Sequence, residues 1–87
     1  MALSADTKLG RQDPDFKEIK AELANAGLVF QSSVPDEHGF IIIAWHSIGG
    51  TFSTHKTSWD NRFLVYGHYD LPTFEAARIN ALERALP

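Results

Sequence analysis

Four histidines and one aspartate are the side chains of this sequence best suited to chemistry. They are His38, His46, His55, His68 and Asp70. Side chains two residues apart on a strand point to the same face, so an extended segment would bring His68 and Asp70 together. Neutral imidazole with carboxylate is a known ligand set for divalent metals. The spacing matches no fixed metal motif. Metal binding is therefore a further alternative, and we assign no metal ligand and predict no cofactor.

Nucleophilic catalysis would need a serine, threonine or cysteine held against a base. Ser47 follows His46 directly, but adjacent residues on a strand point to opposite faces. The chain has no cysteine and no Gly-x-Ser-x-Gly motif, and Gly49-Gly50 is not followed by the lysine of a phosphate-binding loop. The sequence therefore predicts a protein that is not an enzyme.

Aromatic side chains indicate binding rather than catalysis. The chain has six Phe, two Trp and two Tyr, more than one small core must hide, so we expect some to be exposed. Trp59 lies in a polar stretch, residues 57–62, and Trp, Tyr and Arg are favoured at interface hot spots. The alternative is that Trp59 folds over the edge of a sheet. We predict four partner-binding residues here: Trp59, Arg62, Tyr66 and His68, the last two on an open sheet face.

Arg78 is the fifth predicted partner-binding residue. It stands between Phe74 and Leu82 at four-residue spacing, near the centre of a helical apolar stripe. One interpretation is that its guanidinium meets a carboxylate or phosphate of a partner. The other is that its stem lies on apolar surface while its head reaches Glu75 or water.

The elements that must position these residues form one small domain. At 87 residues, with 44% apolar and 22% charged side chains, the chain is expected to have a single core. We predict a flexible N-terminal arm over residues 1–12 and one domain over 13–87. A domain this small buries only about 60–65% of its extended surface, so both monomer and homodimer remain open.

The sequence signals predict a helix, a run of strands and a second helix, in that order. Asp13 and Pro14 predict a helix start and Gly27 a helix stop, which gives a helix over 14–26. Strands are predicted over 28–33, 40–45, 51–57 and 62–69, and Thr73 is the expected N-cap of a last helix. The predicted fold is α+β and αβββα-like, with a three- to four-stranded antiparallel sheet and both helices on one sheet face.

Charge and hydropathy restrict the partners. The net charge is −3, and the eight basic residues form no tract of the kind that strong nucleic-acid binders use. Absence of cysteine fits a reducing compartment. No run reaches the roughly 18 apolar residues that a membrane span needs, and there is no signal-peptide pattern at the N-terminus. We therefore expect a cytoplasmic protein without a membrane partner.

Two resemblances accompany this order of elements. Helix, antiparallel strands and helix, with Gly67-His68-Tyr69-Asp70 before the last helix, resemble the double-stranded RNA-binding domain; that family has a lysine cluster at the start of its second helix, where this chain has only Arg78. The last third is also similar to small phage and prophage α+β proteins. The residues that carry this second likeness are Thr73, Glu75, Ala76, Ala77, Ala81 and Leu82.

The resemblances and the aromatic residues lead to one main hypothesis. We expect a small non-enzymatic protein-binding module, of the type that phage or mobile elements use as accessory proteins or inhibitors of host machinery. A nucleic-acid-associated domain is the alternative that the first resemblance implies, and the His-based metal-binding protein is the third.

Overall fold

Two helices flank a four-stranded antiparallel sheet in the computed structural model of the chain, which describes residues 16–58, 60 and 62–86. The elements are α1 (Lys17–Asn25), β1 (Leu28–Pro35), β2 (Phe40–His46), β3 (Thr51–Thr57), β4 (Leu64–Leu71) and α2 (Phe74–Ala85). The strands lie in sequence order, each antiparallel to the next. The α+β class and the order helix, antiparallel sheet, helix are confirmed, with residues 51–57 as one of four strands. The predicted arm over residues 1–12 lies outside the described residues.

Local sequence signals predicted the start of α2 more accurately than the start of α1. Thr73 is the N-cap of α2, as predicted, and its side chain accepts a hydrogen bond from the Ala76 N–H at 3.0 Å. Helix α1 begins at Lys17, later than predicted, because Phe16 has a left-handed backbone with φ 56° that a right-handed helix cannot include. The predicted start signal, Asp13 and Pro14, lies outside the described residues.

The helices cover opposite faces of the sheet, so the prediction that both lie on one face is wrong. Strand β2 is buried from residue 40 to residue 44. Phe40, Ile42 and Ala44 pack against Ile19 and Leu23 of α1. Ile41 and Ile43 pack with the alanines of α2. A strand that is apolar on both faces needs cover on both, since exposed apolar surface costs about 25 cal/mol per Å². We call the two sides the α1 face and the α2 face.

Strand β4 is an edge strand with two irregularities. Tyr66 is an extra residue between Val65 and Gly67, which pair with consecutive residues of β3. A second extra residue lies between His68 and Leu71, and Asp70 there has φ 62°. Each bulge shifts the alternation of side chains by one residue. The sides on which β4 residues lie therefore cannot be read from a period of two.

No helix within the described residues is both long enough and apolar enough to cross a membrane.

Candidate functional site

A crevice on the α1 face lies between helix α1 and the edge strand β4. Its volume is about 150 Å³. Helix α1 contributes Glu22 and Leu23 to one wall, and β4 contributes Tyr66 and Tyr69 to the other. His55 of β3 lies between them. The crevice exists because α1 is only nine residues long and packs mainly over β1 and β2, so the β3–β4 half of this face is left partly uncovered.

Tyr66 projects from the first bulge and is the most exposed aromatic side chain described, at 77%. Its backbone is left-handed, with φ 51°, a conformation that is unfavourable for a bulky residue. From the α2 face, the Arg84 guanidinium donates hydrogen bonds to the carbonyl of Tyr66 and to the carbonyl and hydroxyl oxygens of Thr54. Arg84 thus ties the bulge to α2 and fixes where the Tyr66 ring leaves the strand.

Tyr69 lies back along its own strand over Gly67. A Cβ added at Gly67 would lie 2.8 Å from the Tyr69 ring and hydroxyl, so the ring can occupy this position only while residue 67 is glycine and would have to shift for any larger residue. The Tyr69 ring also meets two histidines edge to face, with centroid distances of 5.3 Å to His55 and 6.0 Å to His46. Tyr69 therefore forms a lid over the polar side chains of the α1 face while remaining 55% exposed itself.

Ser53 and His55 form a buried hydrogen-bonded pair beneath this lid. Ser53 Oγ lies 2.8 Å from His55 Nε2, and the side chains of both are almost inaccessible. Burial lowers the pKa of His55 from 6.5 to about 4, with smaller effects from the charge of Arg84 and from His46. The ring is therefore neutral at pH 7, with one nitrogen donating and one accepting. The Nε2 of His46 is also buried, without a hydrogen-bond partner among the described residues.

The Ser53–His55 distance is that of a nucleophile and its general base. Sequence reasoning missed this pair because it considered only Ser47, next to His46. The signal was present as Ser-x-His on a strand, since residues two apart share a face. In this conformation Ser53 is fully buried, so no substrate carbonyl can reach its hydroxyl. The hydrogen bond instead satisfies two polar side chains that are buried in the α1 face.

The four histidines do not converge. His38 lies in the turn before β2, where its Nε2 is 3.3 Å from the Glu37 carboxylate. His46 and His55 lie on the α1 face, whereas His68 lies on the α2 face and bonds Asn80 at 3.1 Å. The described residues contain no group of three or more His, Asp or Glu side chains arranged to hold a metal ion.

A polar chain on the α2 face joins β3, β4 and α2, and sequence reasoning missed it as well. The Thr54 hydroxyl donates to Asn80 Oδ1 at 2.5 Å, and the amide group of Asn80 bonds His68 Nδ1. Arg84 donates to the same Thr54 hydroxyl at 3.1 Å. These side chains position α2 on the sheet. The available signal was Asn80. It comes three positions after Ala77, which is fully buried, so it lies on the side of α2 that packs on the sheet.

The predicted partner-binding residues are placed apart. Trp59 lies outside the described residues. Arg62 is exposed, with its guanidinium carbon 5.8 Å from the centre of the Phe63 ring. Tyr66 lines the crevice on the α1 face, but His68 is on the α2 face, so the expected open face shared by these two residues does not exist.

Arg78 lies on the outer side of α2. Its guanidinium donates to the Glu75 carboxylate at 2.7 Å, and both side chains are exposed. This hydrogen bond lowers the pKa of Glu75 and raises that of Arg78. The side of α2 that packs on the sheet is centred on Ala77 and Ala81. The spacing from Phe74 had placed Arg78 near the centre of the apolar stripe. The structure instead places Arg78 outside the side of α2 that packs on the sheet.

Comparison of the chain with protein-family models, with curated proteins and with solved structures finds no match. The resemblances to the double-stranded RNA-binding domain and to phage-type proteins therefore stay predictions.

Proposed function

We propose that this chain is a non-enzymatic module that binds a segment of a partner protein along the aromatic edge, by which we mean Phe63, Tyr66, Tyr69 and the crevice beside them. One observation carries the proposal: these three aromatic side chains fall within seven residues and are 57%, 77% and 55% exposed. Exposed aromatic groups around a concave, partly apolar site are typical of protein interfaces. The proposed surface replaces the open sheet face that the sequence had suggested.

The fixed backbone at this edge supports the proposal. Arg84 holds the carbonyl of Tyr66, and Gly67 gives the Tyr69 ring a defined position. Side chains that are already ordered lose less conformational entropy when a partner binds. Tyrosine also offers a large contact area with few rotatable bonds. An exposed residue with an unfavourable backbone conformation is better explained by contact with a partner than by stability.

The alternative of nucleic-acid binding has less support in the charges. Lys56 lies 3.7 Å from the Asp36 carboxylate, and Arg78 is paired with Glu75. Arg84 directs its donors at oxygens of the protein. These cations are therefore already engaged, whereas phosphate binding needs a surface of available ones.

Selection from a random peptide library displayed on phage tests the proposal. We expect peptides that shift the amide resonances of β4 and α1 in NMR spectra, and whose binding is lost in Tyr66→Ala and Tyr69→Ala. Phe74→Ala is the matched control, because Phe74 is a partly exposed aromatic residue on α2, away from the edge. Selected peptides that bind equally well to the two tyrosine variants would contradict the proposal. Binding to duplex RNA or DNA that weakens steeply with salt would favour the alternative.

A further inference from the structure

We propose that the crevice receives a positively charged side chain, arginine or lysine, of the partner segment. This inference rests on the proposed function and adds the chemistry of the group that is recognised. It follows from three properties of the crevice: the sign of its charge, its aromatic walls and its size.

The charge of the crevice is negative. Glu22 is the charged residue of its lining, which includes neither lysine nor arginine. The Glu22 Oε1 accepts a hydrogen bond from the Leu64 N–H at 3.3 Å, which orients the carboxylate toward β4. The second oxygen, Oε2, has no partner within the described part of the chain. A carboxylate held by one oxygen and free at the other can accept a charge-assisted hydrogen bond from a cation.

The walls suit a cation as well as an apolar stem. Tyr66 and Tyr69 line the side opposite Glu22, and the faces of aromatic rings attract ammonium and guanidinium groups. Leu23 of α1 and Ala26 at its C-cap supply apolar surface on the near side, against which the methylene groups of an arginine or lysine can lie. A space of about 150 Å³ holds roughly one group of the size of a benzene ring. The crevice therefore fits one side chain rather than a helix or a strand.

His55 and Arg84 also bear on the charge of the crevice. His55 is neutral at pH 7, because burial lowers its pKa to about 4, and so it does not repel a cation. Arg84 approaches from the α2 face, where its guanidinium is bonded to oxygens of Thr54 and to the carbonyl of Tyr66. The Arg84 guanidinium thus lies on the other side of the sheet, although its charge contributes to the lowered pKa of His55 and so opposes part of the attraction. Glu22 is the charged residue that lines the crevice itself and faces an entering group.

The test uses the peptides selected from the random library. We expect each peptide that contacts the aromatic edge to contain an essential arginine or lysine. Replacement of that residue by citrulline or norleucine, which are uncharged, should weaken binding by about tenfold or more. In Glu22→Gln the unmodified peptide should bind about as weakly as its neutral analogue, so that the two changes are not additive. Glu18→Gln is the matched control, because it removes the same charge from an exposed residue of α1 that does not line the crevice.

The outcomes separate this inference from the proposed function. Peptides that need Tyr66 and Tyr69 but bind equally well with a neutral residue, or equally well to Glu22→Gln, would overturn the cation inference and leave the binding module intact. A library that yields no peptide contacting the aromatic edge would overturn both.

Discussion

Ser53 Oγ lies 2.8 Å from His55 Nε2, and the two residues are 0% and 4% exposed. The hydrogen bond needs His55 to be neutral when Ser53 donates to Nε2, and the burial of the ring disfavours its charged form. The pair is therefore a polar part of the core whose stability depends on protonation.

We expect the protein to lose stability as the pH falls from about 6.5 to about 4. The pKa of His55 is lowered from 6.5 to about 4 in the folded state. Between these two values the unfolded chain binds more protons than the folded chain, so the free energy of unfolding decreases as the pH decreases. The slope for one group is at most about 1.4 kcal/mol per pH unit. Since solvent in the crevice screens part of the effect, we expect a loss of about 2 kcal/mol in total. Urea unfolding followed by circular dichroism measures it.

The variant His55→Gln isolates the contribution of this residue. Glutamine keeps a hydrogen-bonding group near Ser53 but does not titrate, so its unfolding free energy should depend less on pH in this range. His38→Gln is the control, because the His38 side chain is 80% exposed, and it should keep the dependence of the original protein. An unchanged dependence in His55→Gln would show that other groups cause the acid sensitivity.

Two helix ends that depend on local sequence signals were predicted correctly. Thr73 caps α2 where an N-cap was expected, and Gly27, with φ 80°, ends α1. The side on which each helix packs is not a local property. It follows from burial of both faces of β2, because Ile42 needs α1 and Ile41 needs α2. The continuous apolar run of β2 already indicated two covered faces, which is incompatible with two helices on the same side.

The candidate site was only partly predictable for a different reason. Tyr66 was correctly expected to be accessible, but its pairing with His68 on one face assumed a regular strand. The bulge at Tyr66 depends on the Arg84 guanidinium, which is 18 residues away in sequence. Thr54 of strand β3 is fully buried because α2 and Arg84 cover it. Such contacts between distant segments have no counterpart in local sequence patterns.

Gly67→Ala should destabilise the protein through the ring of Tyr69. The new methyl group would lie 2.8 Å from that ring, so the ring must leave its position over the strand. We expect a loss of about 1 kcal/mol, at the low end for overpacking, because the ring is 55% exposed and can move into solvent. In the background of Tyr69→Ala the same substitution should cost much less, and a double-mutant cycle in thermal unfolding measures the difference. Equal losses in both backgrounds would mean that the backbone of β4, rather than Tyr69, requires glycine.

Phe16→Ala should detach α1 from the sheet. Phe16 is 5% exposed and its ring lies 5.1 Å from that of Phe40 and 5.6 Å from that of Phe30. Removal of a buried phenylalanine ring costs about 3–5 kcal/mol, a large part of the stability of a small domain. Phe63→Ala, at a residue that is 57% exposed, should change stability by less than about 0.5 kcal/mol. Urea midpoints compare the two, and similar losses would contradict the assigned core.

Tyr66→Gly should make the protein more stable and at the same time abolish binding. Tyr66 is 77% exposed and has φ 51°, so its side chain contributes little to the core while its backbone is unfavourable. Glycine adopts this conformation freely, and we expect a gain of about 0.5–1 kcal/mol in the free energy of unfolding. Asp70→Gly, at φ 62°, is the matched control: aspartate tolerates this region better, so its gain should be smaller and peptide binding should persist. Thermal unfolding and peptide titration on the same samples measure both effects. A destabilised Tyr66→Gly would mean that the Tyr66 ring is a stabilising part of the fold, and its exposure would then no longer argue for a partner.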